Sequence, residues 1–233
     1  MSDLQIPDQS SGSGALPPLV LYESPFWPRH LVDLFVRPTR FFSSQLAIGR
    51  PPYAAIVAWA LGTSSAIDQI DTRLLRAEAG SPSASQTLVQ VVAEDWLAFW
   101  AFVAISGMFG AGLAWYVGGW WCKVRLRWCG VASPDTRLAR LLLVYSSFVF
   151  AAPHVLAVLA QNLQHANYRE AFEHDVWPGL GAMVVWSMAT TYKGAMALFN
   201  PKKWLAILWF IVLPALFYLA IGGGLGLFLA DDG

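Results

Sequence analysis

Charged residues are what this chain has least of: Asp, Glu, Lys and Arg make up 13% of its 233 residues, where an average soluble domain carries roughly 25%. With 56% hydrophobic residues and a mean hydropathy of +0.48, the composition excludes an ordinary water-soluble domain. Cysteine is scarce too. Cys122 and Cys129, with six residues between them and no histidine close by, supply half a zinc site at best. A cleavable signal peptide is not expected, because residues 1–18 are polar, slightly acidic and rich in Ser, Gly and Pro rather than basic and then apolar. Such a stretch reads as a disordered tail. Catalytic signatures are lacking as well: there is no Gly-x-Ser-x-Gly, no His-Glu-x-x-His and no glycine loop followed by Lys-Ser or Lys-Thr. Ser146 and Ser147 precede His154 by two helical turns, about 10 to 12 Å and out of hydrogen-bond reach. The chain therefore reads as a non-enzyme with no cofactor and no nucleic-acid partner.

What the chain does have is five long apolar blocks, roughly 53–67, 96–121, 141–160, 176–199 and 204–230. A hydrocarbon core about 30 Å thick takes about 20 helical residues to cross. The expected fold is an all-α polytopic transmembrane bundle of five helices over residues 51–230, with spans at about 51–70, 94–121, 139–160, 176–199 and 204–230. Trp27, Trp96, Trp120, Trp121, Trp128, Trp177 and Trp204 fall at or near the span ends, where an amphipathic ring sits at headgroup level. Residues 19–50 form an amphipathic interfacial segment, expected to lie on the inner leaflet as one or two short helices interrupted at Pro38.

The few charges are sorted. Arg29, Arg37, Arg40 and Arg50, then Lys123, Arg125, Arg127, Arg137 and Arg140, then Lys202 and Lys203 place eleven bases on one side of the expected spans. The other side holds Arg73, Arg76 and Arg169 among ten carboxylates, from Asp68 to Asp232. The positive-inside bias puts the amino terminus in the cytoplasm and the carboxyl terminus outside. Lys193 lies toward the cytoplasmic end of the fourth span, from which it can snorkel. Facing a reducing compartment, the two cysteines are expected as free thiols open to reagents from that side.

Within the spans, polar residues are the candidates. The first span is short unless it takes in Asp68, which would then approach membrane depth beside the polar run Gly62-Thr63-Ser64-Ser65. His154 follows Pro153 in the outer half of the third span, the same half as Asp68. An ionisable group there costs a few kcal/mol unless paired or neutral. Two readings follow: an Asp68–His154 pair, or a neutral imidazole satisfied by a carbonyl freed at Pro153, and the second is the plainer. His165, Glu170, Glu173 and His174 do not share one helix face and read as a solvated acidic loop rather than a metal site. Small residues from Ser106 to Gly119 are spaced for close approach of a neighbouring helix within the bundle. Helical periodicity through Ile67, Ile70 and Leu74, and again through Leu88, Val91, Val92 and Trp96, suggests that the first two spans protrude outward and meet at Gly80-Ser81-Pro82-Ser83.

The run Arg37-Pro38-Thr39-Arg40-Phe41-Phe42 resembles the Pro-x-x-Phe-Phe entry of Yip family membrane proteins, named for interaction with Ypt/Rab GTPases. The stretch from Thr136 to Tyr145, then Ser146-Ser147-Phe148 and Pro153, is similar to that family's third span; the link Asn200-Pro201-Lys202-Lys203 and a fifth span with Pro214 also fit. The resemblance covers about residues 38–230 and implies a non-enzymatic five-span protein. Eukaryotic relatives act in vesicle trafficking through their cytoplasmic parts. Eleven Arg against four Lys, with many Ala, Gly and Trp, suit a GC-rich bacterium, and the membrane is then the inner one. The functional expectation is a scaffold or adaptor whose basic face, with Arg37, Arg40, Lys123, Arg125, Arg127, Arg137 and Arg140, meets anionic lipid of the bilayer and a cytoplasmic protein partner. The alternative is a small transporter or transport subunit, with the polar run, His154 and the Thr190-Thr191-Tyr192-Lys193 cluster lining a path.

Overall fold

The computed structural model describes residues 28–46, 53–78, 84–174 and 179–220. Every regular element among the described residues is helical. Among these residues three helices are long and apolar enough to cross a membrane: Trp96–Trp128, Thr136–Gln161 and Lys203–Ala220.

In chain order the elements are α1 (Pro28–Val36), α2 (Pro38–Phe41), α3 (Ala54–Glu78), α4 (Ala84–Ala93), α5 (Trp96–Leu113), α6 (Gly119–Trp128), α7 (Thr136–Gln161), α8 (Tyr168–His174), α9 (Gly179–Phe199) and α10 (Lys203–Ile207). A π-helical turn over Ala114–Gly118 joins α5 to α6, and another over Leu208–Val212 carries α10 on to Ala220. The continuous helix Trp96–Trp128 has 33 residues, about 50 Å of rise. It runs well past the end at 121 read from hydropathy, and its last turn is the basic stretch Lys123 to Arg127.

Local chemistry sets the breaks. Asp95 is extended at φ −134°, ψ 123°, and its carboxylate accepts from the amides of Leu97 and Ala98, so α5 starts there. Helix α4 is therefore a separate element, where the apolar period 88–96 had suggested one continuous protruding helix. Asp135 likewise caps α7 by accepting from Leu138 N at 2.8 Å. Helix α6 ends at Gly130, whose φ of +89° disfavours any side chain. There the Lys202 amide donates to the Cys129 carbonyl at 3.0 Å, tying the α6–α7 turn to the α9–α10 link.

Helix α7 is the centre of the bundle: half of its most apolar stretch is buried, against 17% for Trp96–Trp128 and 11% for Lys203–Ala220. Helices α3 and α9 pack on it, α5 packs on α3, and α6 packs on its first turns. At the α3–α5 crossing Gly62, Gly107 and Gly110 bring backbones together: a Cβ on Gly62 would lie 2.0 Å from the Gly107 carbonyl oxygen. This is the close approach expected of the small-residue run.

Residues 28–46 pack against the bundle. Trp186 of α9 donates to the Phe35 carbonyl at 2.9 Å, while Phe42 packs on Gly194 and Leu142 and Phe41 lies 5.3 Å, ring to ring, from Tyr145. Helices α1 and α2 thus lie along the flank of α7 and α9 between Trp186 and Gly194, held by the two phenylalanines of the Pro-x-x-Phe-Phe run. The turn at 79–83, residues 221–230 and the 1–18 tail lie outside the described residues.

Two apolar clusters occupy opposite ends of the bundle. One joins Leu34, Phe42, Cys122, Leu126, Leu142, Tyr145, Ala206 and Phe210. The other joins Ile67, Ile70, Leu74, Val89, Phe99, Val103, Val158 and Tyr168, including the buried faces of α4 and the start of α8. Between them the buried side chains turn polar: Thr63, Ser64, Ser146, His154, Thr190 and Thr191.

Candidate functional site

The polar layer is built where α3, α7 and α9 face one another. Ser187 of α9 donates to the Ser146 carbonyl of α7 at 2.9 Å, and Thr191 to the Ser187 carbonyl at 2.8 Å. The Thr63 and Thr190 hydroxyls are buried without a partner. The layer's ionisable members are Asp68 and His154. Helix α3 places Ser64, Asp68 and Asp71 on one face, because they are separated by four and three residues. Helix α7 brings His154 against that face.

The Nδ1 atom of His154 lies 2.9 Å from Ser64 Oγ and 3.6 Å from Asp68 Oδ1. The imidazole is 6% exposed and the Asp68 side chain 55%. The hydrogen-bond partner of Nδ1 is thus the serine hydroxyl one turn before Asp68, not a carbonyl freed at Pro153. Asp71 accepts from the Tyr168 hydroxyl of α8, and Asp68, Asp71 and His154 each offer a ligand atom within 4.8 Å of the others. Asp68 also faces a cavity of about 240 Å³ lined by Ser64, Ser65, Ser147, Phe150, Ser187 and Tyr218 among others. Four serines, a carboxylate and a phenol share this chamber among α3, α7, α9 and the extension of α10 with Leu61, Phe150, Val184 and Met188.

The basic residues gather at the opposite end of the bundle from the Asp71–Tyr168 contact, and they fall into two groups. Arg125 donates to the Trp209 carbonyl and stacks 4.3 Å from the Phe210 ring, Lys123 donates to Thr136, and Arg140 lies 5.0 Å from the Tyr116 ring. These three hold the helices together. Arg127 and Arg137 are exposed at this end with Lys202 and Lys203, and Arg37 and Arg40 are exposed on the flank held by α1 and α2. Cys122 and Cys129 are free thiols, but both are fully buried in the adjacent cluster, so the accessibility expected of them is not found. Burial pushes the Cys129 thiol up to about 11.

In the segment after α7, His165 lies 3.8 Å from Glu170 and Arg169 3.3 Å from Glu173. Reasoning from sequence had not joined Asp71 to the Asp68 group, although its i+3 spacing was readable, and it missed Tyr168, Ser187 and Tyr218, which other helices deliver. No family model, curated protein or solved structure matches the chain.

Proposed function

We infer that the protein is a five-span membrane scaffold or adaptor of the Yip-like kind, non-enzymatic, with its basic end in the cytoplasm of a bacterium and its carboxyl terminus across the inner membrane. Helices α3 and α9 supply the two further crossings, their 25 and 21 residues giving about 37 and 31 Å of rise. The Pro-x-x-Phe-Phe run, in which both phenylalanines are buried, supports the family resemblance. The observation that carries the functional reading is the exposure of Arg127 and Arg137 with Lys202 and Lys203 where the α6–α7 turn and the α9–α10 link meet, with Arg37 and Arg40 exposed on the flank of the same bundle. Bases near an anionic leaflet attract it with about 1 kcal/mol each. This end recruits anionic lipid and, through the same surface, a cytoplasmic protein.

Arg37, Arg40 and Arg127, all exposed, changed together to Gln provide the test, because Arg125, Lys123 and Arg140 are occupied within the bundle. The lipids that co-purify with the wild-type chain are expected to be enriched in anionic species over the bulk membrane. The triple variant should insert normally and lose most of that enrichment. Unchanged enrichment would remove the lipid-binding reading. A second reading, a transport subunit, is favoured by the polar chamber around Asp68. It expects solute flux in vesicles that is sensitive to Ser187→Ala and indifferent to the arginine triple.

A further inference from the structure

We propose that Asp68, Asp71 and His154 form a binding site for a divalent first-row transition cation, Zn²⁺ or Mn²⁺, which enters through the serine-lined chamber. The donor set is the first ground. Two carboxylates and one imidazole are too oxygen-rich for soft Cu⁺, and the nitrogen ligand disfavours Ca²⁺ and Mg²⁺. The geometry is the second. Metal–ligand bonds of about 2.0 to 2.2 Å set the ligand atoms of a tetrahedral site about 3.3 to 3.6 Å apart. The 3.6 Å between His154 Nδ1 and Asp68 Oδ1 is too long for a good hydrogen bond and matches such an edge, and the three ligand atoms, all within 4.8 Å of one another, have to draw in by about 1 Å at most to close the site.

The supporting contacts have the form that metal ligands usually have. Tyr168 donates to Oδ1 of Asp71 and so fixes that carboxylate while its second oxygen is left for a cation. Ser64 Oγ lies 2.9 Å from the same Nδ1, so its hydroxyl must turn off that nitrogen when a cation binds, and from there it can become a fourth donor. Charge is the third ground. His154 is the only ion-pair partner of Asp68 among the described residues, and Asp71 has a neutral phenol against it. Asp71, partly buried at the edge of an apolar cluster, is costly to keep ionised without a cation beside it. The chamber of about 240 Å³, which Asp68 and Ser64 themselves line, gives the fourth ground: a way in to Asp68 past four serines, with room for the waters that complete a coordination shell.

The test uses the full chain, purified in detergent without a polyhistidine tag and stripped with a chelator. Equilibrium dialysis against Zn²⁺ and Mn²⁺ is expected to load about one ion per chain, and the thermal midpoint to rise with either ion but not with equal Mg²⁺. Asp68→Asn, Asp71→Asn and His154→Gln should each weaken binding by about tenfold or more, and Tyr168→Phe by less. His165→Gln, in the nearby His165–Glu170 pair, should bind as the wild type does. Absence of saturable Zn²⁺ or Mn²⁺ binding by the wild-type chain would overturn the site without reference to any variant. So would binding that survives His154→Gln or is lost in His165→Gln.

Discussion

Gly62 faces the backbone of α5 so closely that a methyl group there would meet the Gly107 oxygen at 2.0 Å and the Ala111 nitrogen at 2.5 Å. Neither atom is the movable end of a side chain, so the helices themselves would have to part. Gly62→Ala is expected to destabilise the bundle by about 2 to 3 kcal/mol. Gly112→Ala meets nothing within 4 Å and should be neutral or gain about 0.5 to 1 kcal/mol from helix propensity. Reversible unfolding in mixed micelles measures both, and equal effects would place the crossing elsewhere. The glycines of α5 were legible in the sequence as a packing run, but Gly62 was hidden inside a stretch read only for its polarity. The thiols taught the opposite lesson. A basic, loop-like context suggested accessible cysteines, yet helix α6 continues through the stretch and turns both into the apolar cluster. With the Cys129 thiol at about 11, only about 0.1% is thiolate at pH 8. Both should therefore resist maleimide even after permeabilisation, reacting only when the protein is unfolded. Fast labelling of the folded chain would contradict their burial.

At the scale of elements, what sequence periodicity could not supply was where one helix stops and the next begins. Residues 88–96 carry a helical apolar period, and on that pattern alone α4 and α5 are one helix. Asp95 decides otherwise, because its side chain satisfies two amides that a continuous helix would bond to its own carbonyls. Asp95→Ala should cost about 1 kcal/mol and accelerate hydrogen exchange at Leu97 and Ala98, leaving the amides of Val103 and beyond unchanged. Uniformly slow exchange in the variant would mean that α4 packing, not the cap, holds the break. Helices α1 and α2 were legible as short helices broken at Pro38. Their position was not, since amphipathicity fits a lipid surface and a protein flank equally well. Here Phe41 and Phe42 choose the flank, by filling the space above Gly194 and Leu142 and beside Tyr145.

For the molecule as a whole, the charge pattern and the helix packing agree on two distinct ends, although they come from different parts of the chain. Helices α6, α7, α9 and α10 meet at the basic end through the Lys202–Cys129 bond, while α3, α5, α7 and α8 meet at the other through Trp96 donating to the His165 carbonyl at 3.0 Å and Tyr168 to Asp71. A sum of zero charge hid this polarity, and only its distribution along the chain made it readable. The polar layer was less legible, because its members are single residues on separate helices and become a site only when α7 sets His154 against α3. Orientation is the property on which both functional readings depend, and the buried native thiols allow it to be measured without removing them. Ser133 in the α6–α7 turn and Gln164 after α7 are both exposed, at opposite ends of the central helix. With the basic end inside, Gln164→Cys should react with a membrane-impermeant maleimide in intact cells, and Ser133→Cys only after permeabilisation. The reverse pattern would invert the protein and move the arginine surface outside. Labelling of both in intact cells would mean that no bilayer separates the two ends, which would sink the scaffold and transport readings together.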